Sequence, residues 1–216
     1  MADEYSVQNH NRVNRSAKRG AYDKKAVHAI IDEARICHVG FLEGGRPFVI
    51  PTLHAREGGE IYLHGSKESR LMQYAASGEP ICITCTLVDG LVLARSAFNH
   101  SANYRSAVVF GTGKPVEDAG EKMRVLERFT DKIVPGRWAD LRATTDKEVA
   151  ATSVVSIVIE SASAKIREGG PIDFDEDMDE DVWAGVVPIR EQLGTPEPDG
   201  GLNVDIPIPD YLQSGQ

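Results

Sequence analysis

Between Ile36 and Arg167 the chain is broken into short β-branched runs by glycine-centred turns, a punctuation that favours an antiparallel sheet. Ile36–Leu42 and Arg46–Ala55 flank Glu43-Gly44-Gly45, and Glu57-Gly58-Gly59 leads into Glu60–His64. Asp89-Gly90, set between Ile81–Val88 and Leu91–Ala97, reads as a two-residue hairpin turn. Ala107–Val116, Val154–Ile159 and Ala162–Arg167 add further strands. Two helical patterns interrupt them. Asp23 is a good N-cap for a helix to Ala34, with Val27, Ile30, Ile31 and Ala34 on one face. A second helix runs from about Gly120 to Val134, with Met123, Leu126, Phe129 and Ile133 as its apolar stripe. Ser69–Ala76 is a short helix stopped by Gly78, and Thr145 with Glu148 forms a capping box. The class implied is mainly β, an antiparallel barrel with helical covers.

Charge divides the chain. From Glu168 onward there are 13 acidic residues and one basic one, a net of −12, which leaves residues 1–167 with 20 acidic and 23 basic, a net of +3. The 216 residues therefore read as a polar arm (1–20), a body (21–167) and an acidic, Pro/Gly-rich C-terminal extension (168–216). The apolar patch Val182–Ile189 is expected to dock on the body, and Trp138 and Trp183 to serve as packing anchors. The extension would repel phosphates, and no basic stripe with interleaved aromatics accompanies it, so nucleic acid is not an expected partner. No apolar run approaches the roughly 20 residues that span a bilayer. The polar, acidic start lacks a secretory pattern, and the expected compartment is the cytoplasm. Cys37, Cys82 and Cys85 are odd in number and lie in apolar runs, which points to buried thiols and away from disulfides. His38 and His54, also in strands, read as core residues. No metal-ligand cluster is present.

Three segments carry chemistry. The first is His64-Gly65-Ser66-Lys67-Glu68-Ser69-Arg70, a strand end running into a helix start. Gly65 permits close backbone approach, Ser66 and Ser69 offer hydroxyls, and Lys67 and Arg70 supply positive charge, which together suit a phosphate monoester. A capped helix start with solvated charges fits the same residues. The second is Val49-Ile50-Pro51-Thr52, in a strand that two prolines confine to an edge or bulge. Its unpaired backbone groups could meet a flat heterocycle, or it could be a plain edge strand. The third is the polar stretch around His100, Ser101, Asn103, Tyr104 and Arg105. Arg105 could pair with phosphate or a ring carbonyl, Asn103 could bond a ring edge, and Tyr104 could stack. His100 could exchange protons near neutral pH.

Taken in order, Arg15, Arg19 and Tyr22-Asp23, "RPFVIPTLH", "IYLHGSKESRL" and "HSANYRSAVVFGTG" resemble the pyridoxamine-phosphate-oxidase-like superfamily, in the branch of nitroimidazole-resistance and flavin-nucleotide-binding proteins. The resemblance implies a split β-barrel with FMN at a homodimer interface. It assigns the phosphate to Ser66, Lys67 and Arg70, the isoalloxazine ring to Val49–Thr52, and completion of the pocket to His100–Ser106, from the partner subunit. It further implies an oxidoreductase acting on a small organic substrate, such as a nitro-aromatic, with an external electron donor; His100, as a group that exchanges protons near neutral pH, is the candidate proton donor. A flavin carrier or sensor is the non-catalytic alternative, and a haem protein with His100 or His64 as axial ligand is a third. The Arg-rich C-terminal signature of true pyridoxamine-phosphate oxidases is absent.

Overall fold

A computed structural model describes residues 3–201 and 206–213. The arm ends in a 3-10 turn (Ala17–Arg19) and the short strand β1 (Gly20–Ala21). Helix α1 (Lys24–Glu33) follows, capped by the Asp23 carboxylate, which accepts from the Ala26 N–H at 2.8 Å. Strands β2 (Ile36–Glu43), β3 (Arg46–Leu53), β4 (Ala55–Glu57) and β5 (Glu60–Ser66) lead to helix α2 (Arg70–Ala76). Two long strands come next, β6 (Pro80–Leu93) and β7 (Ser101–Pro115), then helices α3 (Ala119–Ile133) and α4 (Asp146–Ala151). The chain closes with β8 (Thr152–Arg167), β9 (Gly185–Pro188) and α5 (Asp210–Gln213). The capping box expected at Thr145 and Glu148 forms as drawn.

All strand pairs are antiparallel. The order is β3-β2-β6-β7-β8-β5-β4, with β1 on β8 and β9 on β6. The end strands β3 and β4 are joined directly through Leu53-His54-Ala55, so the sheet curls on itself as a split barrel. Both prolines of β3, Pro47 and Pro51, lie on this edge strand, where a missing N–H costs no ladder bond. No helix among the described residues is long and apolar enough to cross a membrane.

Three expectations are corrected here. Asp89-Gly90 is not a hairpin turn: β6 runs through it, with a bulge between Val88 and Gly90. The polar stretch around His100, left between the strands Leu91–Ala97 and Ala107–Val116, is not a loop connecting them, because β7 already begins at Ser101 and pairs with Val92. Val154–Ile159 and Ala162–Arg167 are one strand, β8, with Glu160 as the extra residue of a bulge opposite Phe110/Gly111. Among the side chains, Cys37 and Cys85 are buried as expected, whereas Cys82 is half-buried on the opposite face and His38 is exposed. Trp183 is 66% exposed and anchors nothing by burial. The Val182–Ile189 patch does dock, but through its backbone as β9, leaving Val182, Val187 and Ile189 exposed.

The main core lies inside the barrel. It joins Val27, Ile30 and Ile31 of α1 to Val39, Ile61, Ile83, Val109 and Ile157 of the sheet and to Leu71 and Met72 of α2. A second, smaller cluster packs Val125 and Phe129 of α3 against Tyr62 and Val154. Helix α2 sits so close to β7 that a Cβ at Gly113 would stand 2.0 Å from the Ala75 carbonyl oxygen and 2.9 Å from Val155 Cγ1. Gly113→Ala must therefore push α2 outward. Overpacking of this kind costs about 1–3 kcal/mol, and the melting temperature should drop by on the order of 5 °C. Gly59→Ala, where an added Cβ meets nothing within 4 Å, should leave it unchanged. Thermal melts followed by circular dichroism read both.

Candidate functional site

Strand β5 keeps its register with β8 down to Ser66↔Thr152, and the chain turns at Lys67-Glu68. The turn is closed by Ser66, whose carbonyl accepts from the Ser69 N–H at 3.0 Å and whose hydroxyl accepts from the Glu68 N–H at 3.2 Å. Ser69 occupies the N-cap of α2 with extended backbone, and its hydroxyl makes no cap hydrogen bond. The N–H groups of the first helical turn have no intrahelical acceptor. Lys67 is exposed, and no carboxylate pairs with it among the described residues. A turn with two hydroxyls, free N–H groups and an unneutralised ammonium can receive a phosphate.

Three neighbours differ from expectation. Gly65 does not make room for a ligand: a Cβ there would lie 3.1 Å from Met72 Cγ, so the glycine serves the packing of α2. Arg70 stacks on Phe48 at 4.6 Å and pairs with Glu43 at 3.2 Å, tying α2 to the β2–β3 hairpin. The His64 ring packs edge-on against Phe129 with centroids 4.2 Å apart. Its Nδ1 is buried without a partner, and burial lowers its pKa. On β3, Val49 and Pro51 face outward, Val49 66% exposed, while Ile50 and Thr52 are half-buried.

The segment around His100 lies elsewhere. The 3-10 turn Ala97–Asn99 presents Phe98, 83% exposed and stacked on Phe174 at 5.9 Å. His100 is exposed, and its Nδ1 is 2.8 Å from the Ser96 carbonyl. A carbonyl only accepts, so Nδ1 carries the proton and the neutral ring offers its Nε2 lone pair outward. Ser101 is exposed at the start of β7, and Tyr104 is half-buried. Asn103 donates to the Gly169 carbonyl at 3.1 Å and accepts from Arg167. Arg105 is already saturated: it forks onto Asp89 at 2.7 and 3.0 Å and onto both oxygens of Glu33. Those hydrogen bonds raise the Arg105 pKa and lower those of Glu33 and Asp89. Its charge is spent within the chain, and a flavin or phosphate role for it would have to displace a carboxylate.

The two halves adjoin opposite ends of β8. Ser66 pairs with Thr152 at one end of β8, and Tyr104 pairs with Arg167 at the other. At 3.3 Å per residue a strand of this length has a contour of about 50 Å, shortened end to end by its bulge and by the curl of the sheet.

A buried polar group escaped the sequence reading, which placed His54 in the core without partners. His54, 1% exposed, has Nε2 at 2.7 Å from the Ile31 carbonyl and 2.8 Å from Lys132 Nζ. Lys132 also donates to Ile31 O at 3.0 Å. Nε2 can donate to the Ile31 carbonyl or accept from Lys132 but not both at once, and Nδ1 has no partner among the described residues. Cys85 Sγ lies 3.8 Å from the same ring, and Cys37 is Cys85's partner across the β2–β6 ladder. Burial pushes both thiols up to about 12, so these are thiols and not thiolates at neutral pH. A void of about 80 Å³ adjoins the cluster, walled by Leu53, Phe129 and Ile133. No spacing motif signals this arrangement; only the fold assembles it.

Burial first, and the Lys132 charge second, lower His54 to about 4 from its ordinary value near 6.5. The unfolded chain then binds a proton that the folded one refuses between those values. Stability from this group is present in full above about pH 6.5 and is lost as pH falls toward 4, amounting to about 3 kcal/mol at most. His54→Gln should flatten the fall in melting temperature between pH 6.5 and 5, although its stability at pH 7 will also be lower.

An antiparallel split barrel with an open cationic turn at the start of α2 defines the class to which this chain belongs. The family model for pyridoxamine 5'-phosphate oxidase matches residues 23–166, and the chain is a member of that oxidase-like family. Its structure is similar to that of the flavocytochrome Anf3 from Azotobacter vinelandii, with 40% identity, 97% of both chains covered and a TM-score of 0.90. It is similar too to an FAD- and heme-binding protein from Mycobacterium smegmatis, at 35% identity over 91% of this chain and 97% of that one, TM-score 0.86. A structure described as a 5-nitroimidazole antibiotic resistance protein from Bacteroides thetaiotaomicron shares 25% identity over 68% of this chain and 86% of its own, TM-score 0.56. A search of curated proteins returns no significant match. The family model stops at Ile166, yet the Anf3 alignment takes in nearly the whole chain. The C-terminal extension, which the resemblance left outside the shared pattern, is thus common to this chain and that relative.

Proposed function

We propose that this chain is a redox flavoprotein that binds FMN, or the FMN half of FAD, by its phosphate at Ser66, Lys67, Ser69 and Arg70. The observation that carries the reading is the open turn at Ser66–Ser69, with its free hydroxyl and unpaired Lys67. The similarity across 97% of both chains to a flavocytochrome supports it. The outward residues of β3, Val49 and Pro51, would lie beneath the ring, on an edge strand whose outer backbone groups are free to meet its heteroatoms. Flavin chemistry supplies one- or two-electron transfer, and the protein contributes anchoring and ring polarisation. Because cradle and His100 segment stand at opposite ends of β8, a complete pocket takes both from a homodimer. A small organic substrate, a nitro-aromatic among them, and an external electron donor such as NAD(P)H complete the reading, with the cytoplasm as its place of work.

A specific observation favours haem as a second cofactor. In neutral His100 the Ser96 carbonyl fixes the proton on Nδ1 and leaves Nε2 outward, the arrangement used by metal-ligating imidazoles. Exposed Phe98 and Phe174 beside it offer an apolar platform for a flat macrocycle. This geometry presents an acceptor and so fits an axial ligand better than the proton donor read from sequence. The His64 ring, held against Phe129, is the less accessible candidate.

The absorption spectrum of the purified protein tests both. Flavin bands are expected; a colourless protein that does not take up FMN or FAD would overturn the reading. Lys67→Gln with Arg70→Gln removes two charge-assisted contacts of about 1.5–3 kcal/mol each. FMN affinity should therefore fall by at least a hundredfold, and unchanged affinity would move the phosphate elsewhere. His100→Gln should abolish a Soret band while the flavin bands remain; a retained Soret band would dismiss His100 as ligand.

A further inference from the structure

Eight arginines of the chain pair with carboxylates. Seven others do not among the described residues, and three of them, Arg12, Arg19 and Arg167, lie where the N-terminal arm crosses the β7–β8 ladder. The arm is fastened there. Asn11, 2% exposed, donates to the Ala162 and Ser6 carbonyls at 3.2 and 3.0 Å. The His10 ring meets the Ser161 hydroxyl at 2.8 Å and packs edge-on against Phe110. Beyond these anchors the arm stands off the sheet and leaves a groove of about 280 Å³. Arg12 and Asn14 form one wall; Ser106, Ser163 and Lys165 form the other. No carboxylate lines it. Ser163 and Lys165 share a face of β8 with Arg167, two residues further on and about 7 Å away.

Arg167 sharpens the point. It is 4% exposed, and its hydrogen bonds go to an amide and to main-chain carbonyls, those of Gly169 and Gly170 at 3.3 and 3.1 Å. Its Nε has no acceptor, and Arg19 is near enough to repel it. A buried guanidinium without a counter-ion is costly unless an anion arrives to offset it.

We infer that this groove is a second anion site, built for the phosphate end of a nucleotide. At about 280 Å³ it falls just under the roughly 300–1,000 Å³ of small-molecule sites, which suits a phosphorylated ribose and not a whole dinucleotide. Two sources share that chemistry: the adenylate half of FAD and that of a nicotinamide dinucleotide donor. Lys165 pairs with Ser106 near the far end of β8 from the Ser66 cradle, so an FAD that reached both sites would span two chains. The choice of ligand rests on the flavin reading; the anion site itself does not.

The test is titration calorimetry with ADP and with inorganic pyrophosphate on the full-length protein, alongside Arg12→Gln and Arg12→Gln/Lys165→Gln. Arg12 is exposed, so the single variant keeps the fold. ADP should bind the wild type and weaken at least tenfold in the double variant. FMN affinity should not change. If FAD affinity falls with that of ADP, the groove takes the distal half of the flavin. If FAD and FMN hold steady and the reduced nicotinamide dinucleotide weakens, it takes the donor. ADP that fails to bind, or binds wild type and variants alike, overturns the site. A protein that takes up no flavin yet binds ADP through Arg12 and Lys165 would keep this site and sink the flavin reading.

Discussion

The ladder between β7 and β8, held from Tyr104↔Arg167 to Pro115↔Val155, is the constraint on which the other elements depend. It places α2 and the Ser66–Ser69 turn at one end and the arm and the His100 segment at the other. Its two faces are unlike: Ala107, Val109, Ala162 and Ala164 enter the core, whereas Ser106, Ser163 and Lys165 do not. A slip of one residue would drive Lys165 inward and expose the alanines, so register is strongly specified. The bulge at Glu160 is accommodated because its partner Gly111 has no Cβ; one there would stand 2.0 Å from the Val158 carbonyl oxygen.

That bulge also explains what was legible in the sequence. Before Glu160 the barrel core takes Val155, Ile157 and Ile159; after it the core takes Ala162 and Ala164. The alternation changes phase, and a phase change reads locally as a break between two strands. Strand β6 repeats the effect: Ile81, Ile83 and Cys85 face the core before Asp89, and Val92 is buried after it. Asp-Gly is the commonest hairpin signature, but here Gly90 answers a different need. An added Cβ would come within 3.0 Å of Val186 Cγ1 and of the Val187 carbonyl, so the glycine lets β9 approach. A strand arriving from nearly a hundred residues downstream leaves no local trace. The helices, by contrast, carry their own signals in caps, and α1, α3 and α4 begin within a residue or two of where they read. The stripe read for α3 is corrected: it buries Val125 with Phe129, while Ile133 is exposed and Met123 and Leu126 are half-buried.

Residue types alone mislead about the site in a consistent way. Arg105 looks like a ligand for an anion, but Glu33 and Asp89 occupy it, and Asp89 is free to do so because the bulge turns it out of the alternation. Gly65 looks like a space left for phosphate, but Met72 fills it. In both cases the decisive neighbour is distant in sequence or belongs to the next helical turn. Lys67 and Ser69 stay open for the opposite reason: the turn's internal hydrogen bonds are made by Ser66 and by main chain.

A fold that separates its two polar ends along one continuous strand pair restricts what it can do alone. The Ser66–Ser69 turn can hold a phosphate, while the His100 and Arg167 region adjoins the other end of β8. Two copies arranged antiparallel would bring the start of one ladder to the end of the other, and each cradle would then face an arm and a His100 surface from its neighbour. Val88, Leu91 and Val187, on and beside β6, are exposed apolar side chains. In such a pairing the uncompensated charge on Arg167 and the outward lone pair of His100 would each be half of a contact completed across the two chains.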